Sequence, residues 1–302
     1  MTTLLAVEVR RVVSRRLVRV SAALAVLAIL AGATVTFLVS RDMDPARLSR
    51  AQAARRAAIE RCLAGQLGQV PANVRPEDRG WWCADHVAPK AADRRFHYEQ
   101  LPQVLMGTSP LAIILGWLLG ASLVGAEWHT GTMATLLTWE PRRLRVLLAK
   151  AAMASLFVVA LTVALLTLLG AALWPAGALR GTMPQAGSGW LGATVGATLR
   201  SAGVAGLAAA VAFALAANCR STAAALGIGF VHLAVVEAIL RTVRPHWQHW
   251  LLGDNAAVVI GNQPQSLPLV DRSAPEAAAQ LVGYTAALLV LAAVTFRRRD
   301  VV

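Results

Sequence analysis

His246-Trp247-Gln248-His249 sets two histidines one helical turn apart, and Asp254 follows a short distance on. Imidazole and carboxylate side chains are the ligands of a catalytic zinc. A hydrolytic zinc helix, however, is read from His-Glu-x-x-His, which this sequence lacks. With Trp247 and Trp250 interleaved, the pair reads as a membrane-interface segment in preference to a metal site. Cys62, Cys83, His86 and His97 form a second candidate set, and their spacing matches no common zinc pattern. Nucleotide chemistry would ask for Gly-x-x-x-x-Gly-Lys, yet neither Lys90 nor Lys150 follows a glycine. No Ser-Lys pair falls in an apolar stretch either. The chain is expected not to be an enzyme, to bind no cofactor and to hold no metal.

The elements that would position these residues are apolar. The chain of 302 residues is 57% hydrophobic, too much for an ordinary water-soluble domain. A helix needs roughly 20 apolar residues to cross a bilayer core of about 30 Å. Six stretches meet that need, and none alternates as a barrel strand would. The fold expected is therefore all-α: a polytopic membrane protein with helices over 20–40, 103–126, 147–174, 190–217, 222–241 and 277–296. An amphipathic helix over 1–19 precedes them, with Leu5, Val9, Val12 and Val13 on one face and arginines between. Residues 41–102 form an outer loop domain, 127–146 and 297–302 lie inside, and 242–276 return outside. Pro110 predicts a kink or a later start in the second span, and Trp174-Pro175 marks the end of the third. The fourth begins near 190 or near 201, because Arg200 interrupts it.

The net charge of +13 does not make this a nucleic-acid binder, since the basic residues sit at span boundaries and not on a soluble face. Arg10, Arg11, Arg15, Arg16 and Arg19, then Arg142, Arg143, Arg145 and Lys150, then Arg220, then Arg297, Arg298 and Arg299 share one side if both termini are cytoplasmic. That is the positive-inside pattern. It places Cys62 and Cys83 together in an oxidising compartment, which favours a disulfide between them over zinc. Cys219 is left as a free thiol at the inner end of the fourth helix.

Two charges fall inside the spans, where ionised groups are costly. At about 1.5 Å per residue from the shared turn, Arg200 stands roughly 27 Å up its helix and Glu237 roughly 24 Å up the next. Two readings stand: the two pair across the hairpin, or Arg200 reaches toward water while Glu237 pairs with Arg241 one turn away.

The segment from Glu127 to Lys150 carries the strongest functional signal. Gly131 weakens the helix after the second span, Thr132 can cap the next one, and Pro141 breaks the segment before the third. Met133, Leu136, Leu137 and Leu144 supply an apolar face of the kind that docks in a partner's groove. Glu127, Gly131-Thr132, Leu136-Leu137, Pro141, Arg143 and Lys150, set between the second and third of six spans, resemble the signature of the ABC-2 type permease family. The runs Gly125-Ala126-Glu127-Trp128 and Leu137-Thr138-Trp139-Glu140-Pro141-Arg142-Arg143 are especially similar to small actinobacterial members, as is the tail Phe296-Arg297-Arg298-Arg299-Asp300. The outer loop with its cysteines is longer than the simplest members need.

The resemblance implies a permease subunit of an ABC exporter in the bacterial inner membrane. It would pair with a second permease subunit and dock two copies of an ATP-binding subunit, which hold the ATP and magnesium. Glu127, Gly131 and Thr132 would form the hinge of the coupling loop, Leu136 and Leu137 the docking face, and Pro141, Arg142 and Arg143 the return. The Ala-, Leu- and Gly-rich bundle suggests an apolar or amphipathic cargo such as a drug, lipid or peptide. An ion-coupled transporter or channel, or a membrane scaffold or sensor, are the alternatives.

Overall fold

The computed structural model describes residues 14–40, 45–66, 79–87, 95–129, 131–132, 143–185, 187, 189–262 and 272–298. Ten α-helices are formed among them: α1 (Arg16–Val39), α2 (Pro45–Leu63), α3 (Arg79–His86), α4 (Leu101–His129), α5 (Arg143–Arg180), α6 (Trp190–Cys219), α7 (Thr222–Phe230), α8 (Glu237–Val243), α9 (Leu252–Gly261) and α10 (Ala274–Arg298). A π-helical turn, Val231–Val236, joins α7 to α8 without a break. Six helical stretches are long and apolar enough to cross a membrane, as expected. The expected amphipathic helix over 1–19 falls mostly on residues outside those described; α1 begins at Arg16.

Two boundaries differ from the expectation. α4 starts at Leu101 and continues past Pro110, so the later start does not occur, and the Ser109 hydroxyl donates to the Leu105 carbonyl just before it. α5 does not stop at Trp174-Pro175 but continues to Arg180. Its last turns are anchored there: Arg180 Nη1 donates to the Phe37 carbonyl at 3.0 Å and the guanidinium lies 4.1 Å above the Phe37 ring. The fourth span is one helix from Trp190, which settles the choice between 190 and 201.

The chain divides into two units. The first contains 1–30, 100–171 and 185–302; the second contains 31–99 and 172–184. In the first, α6 is the central element, buried from Ala197 to Ala217 along most of its length. Its run of Ala202, Ala205, Ala209, Ala212 and Ala216 carries no bulk, so neighbouring backbones come close. α4 answers with Gly116 and Gly120 one turn apart. A Cβ on Gly116 would stand 2.6 Å from the Ala205 carbonyl oxygen, and one on Gly120 would collide with the Ala209 carbonyl. Gly206 makes the same kind of approach to Val159 and Ser155 of α5. Gly120→Val is therefore expected to force α4 and α6 apart and to cost at least the roughly 1–3 kcal/mol typical of overpacking. Thermal unfolding in mild detergent checks this, with Gly107→Val, which meets open space, as the neutral control.

α6 closes on Arg220 in the left-handed region, at φ 54°. Ser221 then caps α7, its hydroxyl accepting from the Ala224 amide at 3.3 Å.

In the second unit, the Cys62–Cys83 disulfide ties α2 to α3. Arg55 Nη2 donates to the Ala84 carbonyl at 3.0 Å across the same pair. Among the described residues the only β pairing is one parallel bridge, His97 to Thr182.

Candidate functional site

Glu127 lies in the last turn of α4 and is only 6% exposed. The negative end of the helix dipole points there, and burial strips the carboxylate of water, so an ionised side chain needs cations close by. Two are supplied. Lys150 Nζ lies 2.9 Å from the carboxylate oxygens, and Arg15 Nη2 lies 3.1 Å from Oε1. Arg15 Nη1 also donates to the Ser122 carbonyl at 3.0 Å, which fixes the arginine one turn back along α4. A space of about 20 Å³ among Arg15, Glu127, Lys150, Met153 and Phe213 has room for about one water. The triad thus joins the start of α1, the end of α4 and the first turns of α5.

The same end of the first unit gathers further chain ends. Arg220, at the turn between α6 and α7, lies 4.6 Å above the Trp128 ring, and Phe296 near the end of α10 meets that ring edge-on at 6.0 Å. Thr295 donates to Asn218 Oδ1 at 2.6 Å. Gly131 takes φ +70°, a conformation that costs glycine little, and Thr132 Oγ1 donates back to the Glu127 carbonyl at 3.4 Å. Leu136, Leu137, Pro141 and Arg142 lie outside the described residues; Arg143 opens α5. Of the residues singled out in this loop, the structure describes the hinge and, of the return, Arg143 alone, but not the docking face.

A second buried cluster forms where α8 meets α9. Glu237 is 1% exposed and Asp254 4%. The Glu237 carboxylate accepts from the Gly253 amide at 3.1 and 3.2 Å, so α8 supplies the cap for the N-terminus of α9. Arg241 serves both acids. Its Nε lies 3.0 Å from Asp254 Oδ1, and its Nη2 lies 3.1 Å from Glu237 Oε2 and 2.8 Å from Asp254 Oδ1. His232, in the π-helical turn, places Nε2 at 3.6 Å from Glu237 Oε1.

This geometry corrects the cross-hairpin pairing of Arg200 with Glu237. Glu237 is held by its neighbour one turn along, by Gly253 and by His232, while Arg200 Nε donates to the Ile260 carbonyl of α9 at 3.3 Å. The Arg241 alternative is the one that forms.

The metal candidates disperse. His86 stacks on Trp82 at 4.9 Å, His97 Nδ1 is 2.8 Å from the Thr182 hydroxyl, and Cys62 and Cys83 are bonded to each other. His249 lies tilted against Trp250 at 5.1 Å, and Asp254 is taken by Arg241. Among the described residues no group of three His, Cys, Asp or Glu could hold a metal ion.

Sequence reading marked Glu127 and Lys150 without pairing them, and left Arg15 in the basic flank of the first span. The available signal was an acid at one span's end and a base just inside the next. Arg241 with Asp254 was missed because Asp254 stood beside histidines and invited a metal reading.

No protein-family model matches the chain, and neither a curated protein nor a solved structure does.

Proposed function

We propose that this chain is the membrane subunit of an ABC exporter of the ABC-2 permease kind, multi-pass in the bacterial inner membrane with both termini cytoplasmic. A separate ATP-binding subunit, in two copies, docks on the loop 127–146, and a second permease subunit completes the transport path. The cargo is apolar or amphipathic. One observation carries the reading: the loop leaves α4 three residues after a buried Glu127 that is ion-paired to Arg15 and Lys150. A loop tied at its base to three helices can pass a push on its tip into the bundle. An ordinary surface loop has no use for three charges gathered out of water, since their desolvation is costly. The residues that form this knot on both sides of the loop, Glu127 and Lys150, are among those that carry the family resemblance.

Leu136→Asp with Leu137→Asp is expected to abolish copurification of the ATP-binding subunit and all vanadate-sensitive ATPase activity, with the permease itself still inserted. Retained copurification would remove the docking assignment.

One observation favours a second reading. Glu237 and Asp254, buried beside a π-helical interruption, suit an ion-coupled transporter. Transport that persists without nucleotide and follows an ion gradient would favour it.

A further inference from the structure

A cavity of about 330 Å³ lies in the first unit among α4, α6, the π-helical turn, α9 and α10. Ile113, Trp117, Ala208, Val211, Leu233 and Leu281 are among its walls. The polar atoms that border it are engaged elsewhere: Trp117 Nε1 donates to the Ala225 carbonyl at 3.3 Å, and Thr285 Oγ1 to the Leu281 carbonyl at 2.8 Å. Packed interiors leave few voids larger than a water, whereas ligand pockets begin at roughly 300 Å³. A space lined this way accepts hydrocarbon, because any polar group entering it would give up water for nothing.

Gly253 fixes what lies at one end. It borders the cavity, its amide donates to Glu237, and a Cβ there would stand 2.7 Å from Glu237 Oε2 and 3.1 Å from Arg241 Nη2. Past Gly253 therefore lies the ion pair of Glu237 with Arg241, whose side chain is 40% exposed. Arg244 follows, exposed and with no side-chain partner among the described residues. Trp247 and Trp250 are exposed beside it, and Arg272 lies 5.9 Å above the Trp250 ring. Tryptophan and arginine together are the composition of a headgroup-level belt, and an unpaired guanidinium there complements a phosphate. The apolar slot and the cationic, aromatic segment that leads into its Leu252 and Gly253 thus match the two ends of one molecule.

We propose that this cavity holds one acyl chain of a bilayer phospholipid, with the lipid phosphate at Arg244. The inference rests on these helices lying in a bilayer and not on the coupling loop. Loop variants that lose the ATPase partner leave it standing, so the two readings fail separately.

The test uses the full chain in phosphatidylglycerol and phosphatidylethanolamine nanodiscs that carry a phospholipid with a photoactivatable acyl chain. Labelled peptides are mapped by mass spectrometry. Labels are expected on Val211 and Leu281, both buried yet facing the cavity, as well as on outward residues such as Leu24 and Leu27. Labelling confined to the outward residues overturns the proposal, and this arm needs no mutant to fold. Ala208→Trp, which fills the cavity, should remove the Val211 and Leu281 labels and leave those at Leu24; unchanged cavity labels also overturn it. Arg244→Gln should lower the cavity labels by about tenfold for the phospholipid, as for loss of one charge-assisted phosphate contact, but not for a photoactivatable fatty alcohol. An equal effect on both probes, or on neither, overturns the phosphate assignment.

Discussion

Replacing Glu127 by leucine lowers the stability of the folded protein by roughly 3–5 kcal/mol, the range for breaking a buried ion pair from one side. The loss comes less from the missing attraction than from what is left behind. Lys150, 9% exposed, loses the carboxylate that lay 2.9 Å from its Nζ. Arg15, at 21%, has more freedom to turn toward water along its own stem. Denaturation followed in mild detergent gives the number. The double variant Glu127→Leu with Lys150→Met should recover most of the stability, because two well-packed apolar residues replace a pair whose desolvation was itself costly. Under the proposed function it should not recover nucleotide-driven transport, since the loop is then no longer tied to α1 and α5. Stability and transport returning together would reduce the triad to a packing device.

Arg241→Leu is expected to cost about as much, roughly 3–5 kcal/mol, for a different reason. Here the cation goes and two buried acids remain near the N-terminus of α9. The helix end and the Gly253 amide can support one of them. Adding Asp254→Asn should return a large part of the loss, and Asp254→Asn alone should be the mildest of the three variants. Arg241→Lys should behave closer to leucine than to wild type. The guanidinium reaches Asp254 and Glu237 at once through Nε and Nη2, and a single ammonium cannot span that fork. Chemical unfolding of the four variants beside wild type checks the ranking; Arg241→Lys matching wild type would sink the bridging role.

Six apolar helices were legible because length and the absence of charge are properties of the chain itself. A span such as Ala151 to Trp174 needs no partner to be recognised. Helix ends were less legible. Pro175 reads as a stop, and what carries α5 past it is Arg180 bound to Phe37, far away in sequence. The disulfide followed from compartment, with only two cysteines on that side. The charged clusters were half visible: Glu127, Lys150, Glu237 and Arg241 could each be named as charges out of place. Their partners depend on which faces the helices turn, and almost uniformly apolar helices carry little periodicity to tell. Arg200 and Glu237 stood at similar heights on adjacent helices, and height alone does not make a contact. The cavity left no trace in the sequence, because Ile113, Val211 and Leu281 look like any other lipid-soluble residues until the helices are assembled.

The widened turn at Val231–Val236 gives the fifth apolar stretch two azimuths. An α-helix advances each residue by about 100°, and a π-turn absorbs roughly one residue more than the regular winding would. Below it, Gly229 sits flush against the Trp117 indole of α4; above it, Glu237 is aimed at Gly253 of α9. A straight rod with the same residues could keep only one of these appointments. Between 231 and 236 the wide turn is therefore what reconciles the two contacts: a deletion of one residue inside it would return regular winding with the carboxylate near its present azimuth, whereas a deletion between the turn and Glu237 would swing it by about 100°.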